Sequence, residues 1–219
     1  MVRSNFDKKL KELHAQMIEM GSYVETAIEN SIKAFKNRDV ELCLEIIEND
    51  KNVDEMEKKI ESKCLWLIAR EQPVAADLRL ITTALKITTD MERIGDHAAD
   101  IASIAMRLPE KNAFADKGHI PEMAAAAVKM VRNAMLAYVN SDTDLAEETI
   151  KKDDEVDDYF NLIKEELVEI FANQPQHLDH AIDLLLVAKY LERIGDHATN
   201  ICEWVLFSQT GEHKDTQIF

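Results

Sequence analysis

The residues of this chain able to do chemistry are carboxylates at a fixed spacing. Glu92, Asp96 and Asp100 recur every four positions, and a step of four turns a helix through about 400°, so the three share one stripe. The heptapeptide Glu92-Arg93-Ile94-Gly95-Asp96-His97-Ala98 returns unchanged as Glu192-Arg193-Ile194-Gly195-Asp196-His197-Ala198, which marks an internal duplication. Ahead of each copy stand two more acids four apart, Asp50 and Asp54, then Asp153 and Asp157, with Val before the second each time. Like charges at this spacing cost a helix about 0.2–0.5 kcal/mol per pair.

If these pairs face each other across an antiparallel hairpin, the turn must lie midway between them. Asp50 with Asp96 and Asp54 with Glu92 share a midpoint at Pro73, and Asp153 with Asp196 and Asp157 with Glu192 share one between Gln174 and Pro175. Each midpoint falls in a Gln-Pro turn signal. Four carboxylates gathered at one level repel unless a cation sits among them. A set of oxygen donors suits hard cations such as Mg²⁺, Mn²⁺ or iron, and offers no handle for zinc or copper. The expected metal residues are therefore Asp50, Asp54, Glu92, Asp96 and Asp100 in the first half, and Asp153, Asp157, Glu192 and Asp196 in the second. The alternative for the same pattern is a solvated acidic face.

On a helical wheel Glu92, Asp96 and Asp100 fall opposite the apolar seam, so the expected site is shallow and wet. Arg93 and Arg193 are expected to neutralise neighbouring carboxylates. Gly95 and Gly195 each cost about 1 kcal/mol relative to Ala in mid-helix, which points to close helix approach. His97 and His197 read as packed or surface residues rather than ligands, and Trp66, Trp204 and the methionines read as core.

The elements that must position these groups are helices. Phe6, Leu10, Leu13, Met17, Val24 and Ile28 recur at threes and fours, with Ser4 as the expected cap, and predict a first helix to about Phe35. Leu42 to Leu67 predict a second, and Leu80, Ala84, Ile87, Met91, Ile94, Ala98, Ile101, Ala105 and Leu108 a third whose unbroken 4-3 spacing is the seam of an antiparallel bundle. Residues 110 to 118 read as a linker, and Pro121 opens a fourth helix. A fifth runs from Ile150 through Leu167, and a sixth repeats the seam from Leu184 to Val205, leaving a polar tail from Ser208 that is expected to fray. No segment alternates with period two. The expected fold class is all-α, two tandem antiparallel three-helix bundles related by duplication, spanning residues 1–112 and 113–219.

Composition removes several function classes. A formal charge of −16 with no basic cluster disfavours nucleic acid. Three cysteines in no CxxC spacing read as core thiols of a reducing compartment, and no apolar run reaches the ~20 residues of a membrane span, so the expected location is cytoplasmic. Glu-x-x-His, His-Glu-x-x-His, glycine-rich phosphate loops and G-x-S-x-G elbows are all absent. The chain is expected not to be an enzyme.

Two copies of Glu-Arg-Ile-Gly-Asp-His-Ala, each preceded by an acidic-x-x-x-Asp pair, with Gln72-Pro73-Val74-Ala75-Ala76-Asp77-Leu78-Arg79 opening the third helix, resemble the PhoU family of bacterial phosphate-specific transport over nearly the whole chain. The resemblance implies two PhoU-like, spectrin-repeat-like bundles with multinuclear metal clusters on the acidic motifs. It also implies negative regulation of the phosphate-starvation response, linking the ATPase of the phosphate ABC transporter to a phosphate-sensing histidine kinase. Partners are then these two proteins, met peripherally at the membrane, and a second copy of the chain in a homodimer. Asn200 agrees with the family's usual Asn, whereas Asp100 departs from it, and Asp77-Leu78-Arg79 has no counterpart at Asp183-Leu184-Leu185. A carboxylate metallohydrolase or a helical scaffold without a phosphate role is the alternative.

Overall fold

The computed structural model describes residues 2–108, 119–173, 178–213 and 216–217. They form helices α1 (Val2–Asn37), α2 (Val40–Glu71), α3 (Ala75–Ala105), α4 (Ile120–Asn140), α5 (Thr143–Ile150), α6 (Asp153–Asn173) and α7 (Leu178–Thr210). A two-residue strand β1 (Glu212–His213) pairs antiparallel with β2 (Thr216–Gln217). The expected linker at 110–118, the boundary between 112 and 113, and the turn at Gln174-Pro175 lie outside the described residues.

Helix ends follow local chemistry. Asp39 and Asp142 cap α2 and α5, each accepting through Oδ1 from the amide three residues on, Leu42 and Leu145, at 3.0 Å. Gln72 ends α2 in the left-handed region at φ 48, and Pro73 prevents the helix from resuming. Three expectations are corrected. Helix α1 is already formed at Val2, so Ser4 lies within it rather than capping it. The expected fifth helix, from Ile150, is preceded by an unexpected short helix, α5, and itself starts only at Asp153 as α6, the two parted at Lys151-Lys152. There the backbone tightens, with Lys152 N bonded to Thr149 O at 2.9 Å. The buried Thr149 hydroxyl donates back to Leu145 O at 2.7 Å, a contact that bends helices. Finally, α7 continues to Thr210, beyond the expected start of fraying, and Gly211 at φ 80 turns the chain into β1.

Helices α1, α2 and α3 pack as one bundle, and α4, α5 with α6, and α7 as the other. The bundles meet chiefly along α3 and α7, with α4 also crossing α1, where Arg132 pairs with Glu25 and Glu29. The α3/α7 seam is antiparallel. Arg79 Nε donates to Ser208 O at 3.3 Å, Thr83 Oγ1 to Trp204 O at 3.4 Å, and Asp90 meets His197 at 2.9 Å. In each of these pairs the two residue numbers have the same total, as a single antiparallel register requires.

Helix α3 is therefore covered by α1, α2 and α7, and buries Thr83, Thr88, Gly95 and Ala102 besides its predicted seam from Ala84 onward, whereas Leu80, the expected first seam residue, is exposed. Cys43, Cys64 and Cys202 are all buried, as expected, and burial pushes the Cys64 and Cys202 thiols up to about 12. Trp66 is not core: it is 43% exposed, with Lys9 Nζ 3.9 Å above its ring. Among the described residues no helix is long and apolar enough to cross a membrane.

Candidate metal centre

The hairpin register places α2 against α3 so that Gly95 faces Val53 and Asp50. A Cβ on Gly95 would stand 3.1 Å from Val53 Cγ1 and 3.6 Å from Asp50 Oδ1. This close approach brings three carboxylates together. One oxygen from each of Asp54, Glu92 and Asp96 lies within 4.8 Å of the others, a spread that one cation bound at about 2.0–2.6 Å from oxygen can span.

Asp50 borders this triad. Its carboxyl is pushed up to about 6, first by burial and then by the charges of Asp96, Asp54 and Asp100. Glu92 is pushed further, to about 7, by burial and then by Asp96, with Arg93 opposing. Glu57, one turn beyond Asp54 and not expected from the sequence, is also raised by burial, then by Glu61 and Asp54. Arg93 meets its expectation with Nη1 3.2 Å from Asp96 Oδ2 and Nε 3.3 Å from Glu92 Oε2. Even so, Glu92 Oε2 is shut off from solvent and accepts no hydrogen bond. A sheltered carboxyl oxygen that accepts no hydrogen bond, inside a set of oxygen ligands, fits a hard cation.

The second half places the matching residues on α6 and α7, but among the described residues only Asp54, Glu92 and Asp96 bring three ligand oxygens within 4.8 Å of one another. A Cβ on Gly195 would meet Asp153 Oδ1 and Val156 Cγ1, each at 3.4 Å. Asp153 is pushed up to about 6 by burial, then Asp196 and Asp157, with the Thr199 hydroxyl opposing. Asp157 is raised by burial, then Glu192 and Asp196. The compensating cation is Lys189, paired with Glu192, where the sequence pointed to Arg193. Lys189 stands three residues before Glu192, a spacing that could have been noticed.

The two sites differ in shelter. The Glu92 and Glu192 side chains are only 15% and 16% exposed, so neither lies on the solvent side of its helix as the wheel suggested. The physical reason is the close packing within each hairpin: Asp54 and Glu57 of α2 reach Glu92, and Glu192 reaches Asp157 of α6. On the facing helices Asp54 is half-buried whereas Asp157 is exposed, just past the break that begins α6 at Asp153. Asp100 stands apart from the triad: its Oδ2 lies 3.7 Å from His97 Nδ1, and its charge also reaches Asp50.

A groove of about 270 Å³ between α1 and α2, with Ala27, Ile46 and Val53 among its walls, reaches the first site. Tyr23, Thr26, Asn30 and Asn49 line it, and it ends on Asp50 and Gly95.

Known proteins share this build. The PhoU domain family matches residues 17–105 and again 120–205, the two halves that carry the acidic pairs. A phosphate-specific transport system accessory protein PhoU homolog from Clostridium acetobutylicum is 39% identical over 98% of this chain and 99% of its own length. One from Caulobacter vibrioides is 36% identical over 97% and 93%. The crystal structure of PhoU from Pseudomonas aeruginosa superimposes with a TM-score of 0.86 at 31% identity, covering 94% of this chain and 100% of that one. That of the phosphate transport system regulatory protein PhoU from Streptococcus pneumoniae does so at 0.87 and 27%, covering 96% and 100%. With two tandem bundles, a doubled acidic motif and full-length likeness to these proteins, the chain belongs to the PhoU family.

Proposed function

We propose that this protein is a non-enzymatic regulator of phosphate uptake, acting as an accessory protein of phosphate-specific transport and restraining the phosphate-starvation response. The observation that carries this reading is the full-length likeness to relatives named as accessory proteins of phosphate-specific transport. The absence of any nucleophile-and-base motif in the sequence supports the non-enzymatic part. In this reading Asp50, Asp54, Glu92, Asp96 and Asp100, and Asp153, Asp157, Glu192 and Asp196, hold Mg²⁺, Mn²⁺ or iron. The ions replace repulsion between facing helices with attraction and stiffen the two hairpins.

The protein works in the cytoplasm as a homo-oligomer and docks peripherally on the ATPase of the phosphate transporter and on a phosphate-sensing histidine kinase. Long helical faces with exposed apolar side chains, among them Leu44, Leu65 and Val168, are suited to such docking. The test is deletion of the gene with a phosphate-starvation reporter followed in phosphate-rich medium. Activation of the reporter is the expected result; silence would sink the regulatory assignment. Restoration by the wild-type chain but not by an Asp96→Asn, Asp196→Asn double variant would tie regulation to the metal residues.

A further inference from the structure

The repeated heptapeptide carries one residue the carboxylate sites do not use, its histidine, and the fold brings the two copies face to face. His97 on α3 and His197 on α7 have ring centroids 5.7 Å apart with planes inclined at 34°. Both rings are mostly buried, at 18% and 19% exposure, and both are held. His197 Nδ1 lies 2.9 Å from Asp90 Oδ1, and since a carboxylate only accepts, Nδ1 carries a proton, so that in the neutral ring the lone pair is on Nε2. Asn200 Nδ2 secures the same Asp90 oxygen at 3.3 Å. His97 is stacked on Tyr190 at 5.4 Å, and its Nδ1, sheltered and without a hydrogen bond, faces Asp100 Oδ2 at 3.7 Å.

Neither Nε2 makes a hydrogen bond to the described residues, and neither is shut off from solvent as His97 Nδ1 is. At His197, an imidazole whose Nδ1 is fixed by a carboxylate while Nε2 stays available is the arrangement by which proteins orient a histidine toward a metal; His97 has Asp100 beside its Nδ1 without that bond and is placed by its stacking on Tyr190. The spacing also fits. With Nε2 at about 2.0–2.1 Å from a tetrahedral ion, two imidazole centroids stand about 5.2 Å apart, so the observed separation needs only a small closure.

We propose that His97 and His197 form a further metal site, distinct in chemistry from the carboxylate clusters, in which the Nε2 atoms of one histidine from each bundle bind a single Zn²⁺-like borderline cation. Water completes its coordination. The nitrogen donors select against the hard cations suited to the carboxylates, so the two kinds of site can be filled independently. Such an ion would pin α3 to α7 at the contact between the bundles.

The test is long-range ¹H–¹⁵N NMR of the histidine rings in the full chain, with Mg²⁺ in excess so that the carboxylates are occupied, as Zn²⁺ is added. Nε2 of His97 and His197 is expected to shift together to metal-bound values while His197 Nδ1 stays protonated. His97→Gln is expected to abolish the shift at His197, and His197→Gln that at His97, with helicity by circular dichroism unchanged. Asp90→Asn, which leaves both rings in place, is expected to weaken Zn²⁺ binding about 10–100-fold. Shifts in neither ring, a shift at His197 that survives loss of His97, or Zn²⁺ affinity unchanged in Asp90→Asn would each overturn the proposal. Because the readout is the ring nitrogens, none of these outcomes bears on the carboxylate reading.

Discussion

Glu92, Asp50 and Asp153 are the carboxyls on which protons and a cation compete. Unfolded, such groups titrate near about 4, whereas in the metal-free fold Asp50 and Asp153 hold their protons to about 6 and Glu92 to about 7. Across that window the folded state binds more protons than the unfolded one. Their contribution to stability is thus whole below about 4 and is lost as pH rises through 6 to 7. Calorimetry on chelator-treated protein should show Tm falling between about pH 5 and 7.5, and Glu92→Gln should flatten the fall. A bound cation reverses the preference, so Mn²⁺ added at about pH 6 should release protons in a buffer-dependent titration, and few at about pH 8.

The two heptapeptide glycines differ in what a side chain would meet. Ala in place of Gly gains about 1 kcal/mol of helix propensity, but at Gly95 its Cβ would press to 3.1 Å on Val53, against 3.4 Å on Val156 at Gly195. Gly195→Ala should be neutral or stabilising in thermal melts, whereas Gly95→Ala should force α2 from α3 and weaken metal binding at the first site.

Among the elements, the hairpins show what the sequence made legible. The shared midpoints of the acidic pairs are geometric consequences of antiparallel helices, and the structure gathers Asp54, Glu92 and Asp96 as that register required. The burial of the Glu92 stripe was not legible. Hydrophobic periodicity reveals one stripe per helix; it registers neither the close approach of α2 at Gly95, which shelters Glu92, nor the polar pairs, such as Thr83 with Trp204, by which α3 meets α7. The break at Lys151-Lys152 was hidden for a related reason: no Gly or Pro marks it, and a back-bonded threonine does the bending. That break leaves Asp157 exposed, so the second site should lose metal to a chelator first. Stopped-flow chelation should show Asp196→Asn removing the faster phase and Asp96→Asn the slower. Replacing either capping residue, Asp39→Ala or Asp142→Ala, should cost about 1 kcal/mol in urea unfolding.

For the whole molecule, the shared α3/α7 seam means that neither bundle is an independent unit. Urea should unfold both in one transition, with the same midpoint by fluorescence and circular dichroism. Asp90→Ala leaves buried donors on His197 and Asn200 unpaired and should lower that midpoint by about 1–3 kcal/mol equivalent. The seam also has a history written in it. Asp90 touching His197 and Tyr190 touching His97 are images of one another under exchange of the two repeats, which is the self-complementary geometry of a two-fold dimer interface held within one chain. In a dimer of identical subunits every substitution acts twice, so Asp90 could not become Tyr on one side only. Joining the copies lifted that constraint: where the first repeat has Asp90 the second has Tyr190, and where the first has Asp100 the second has Asn200. An ancestral single repeat that paired with itself is the form this symmetry describes, and the two halves have since specialised around a common axis.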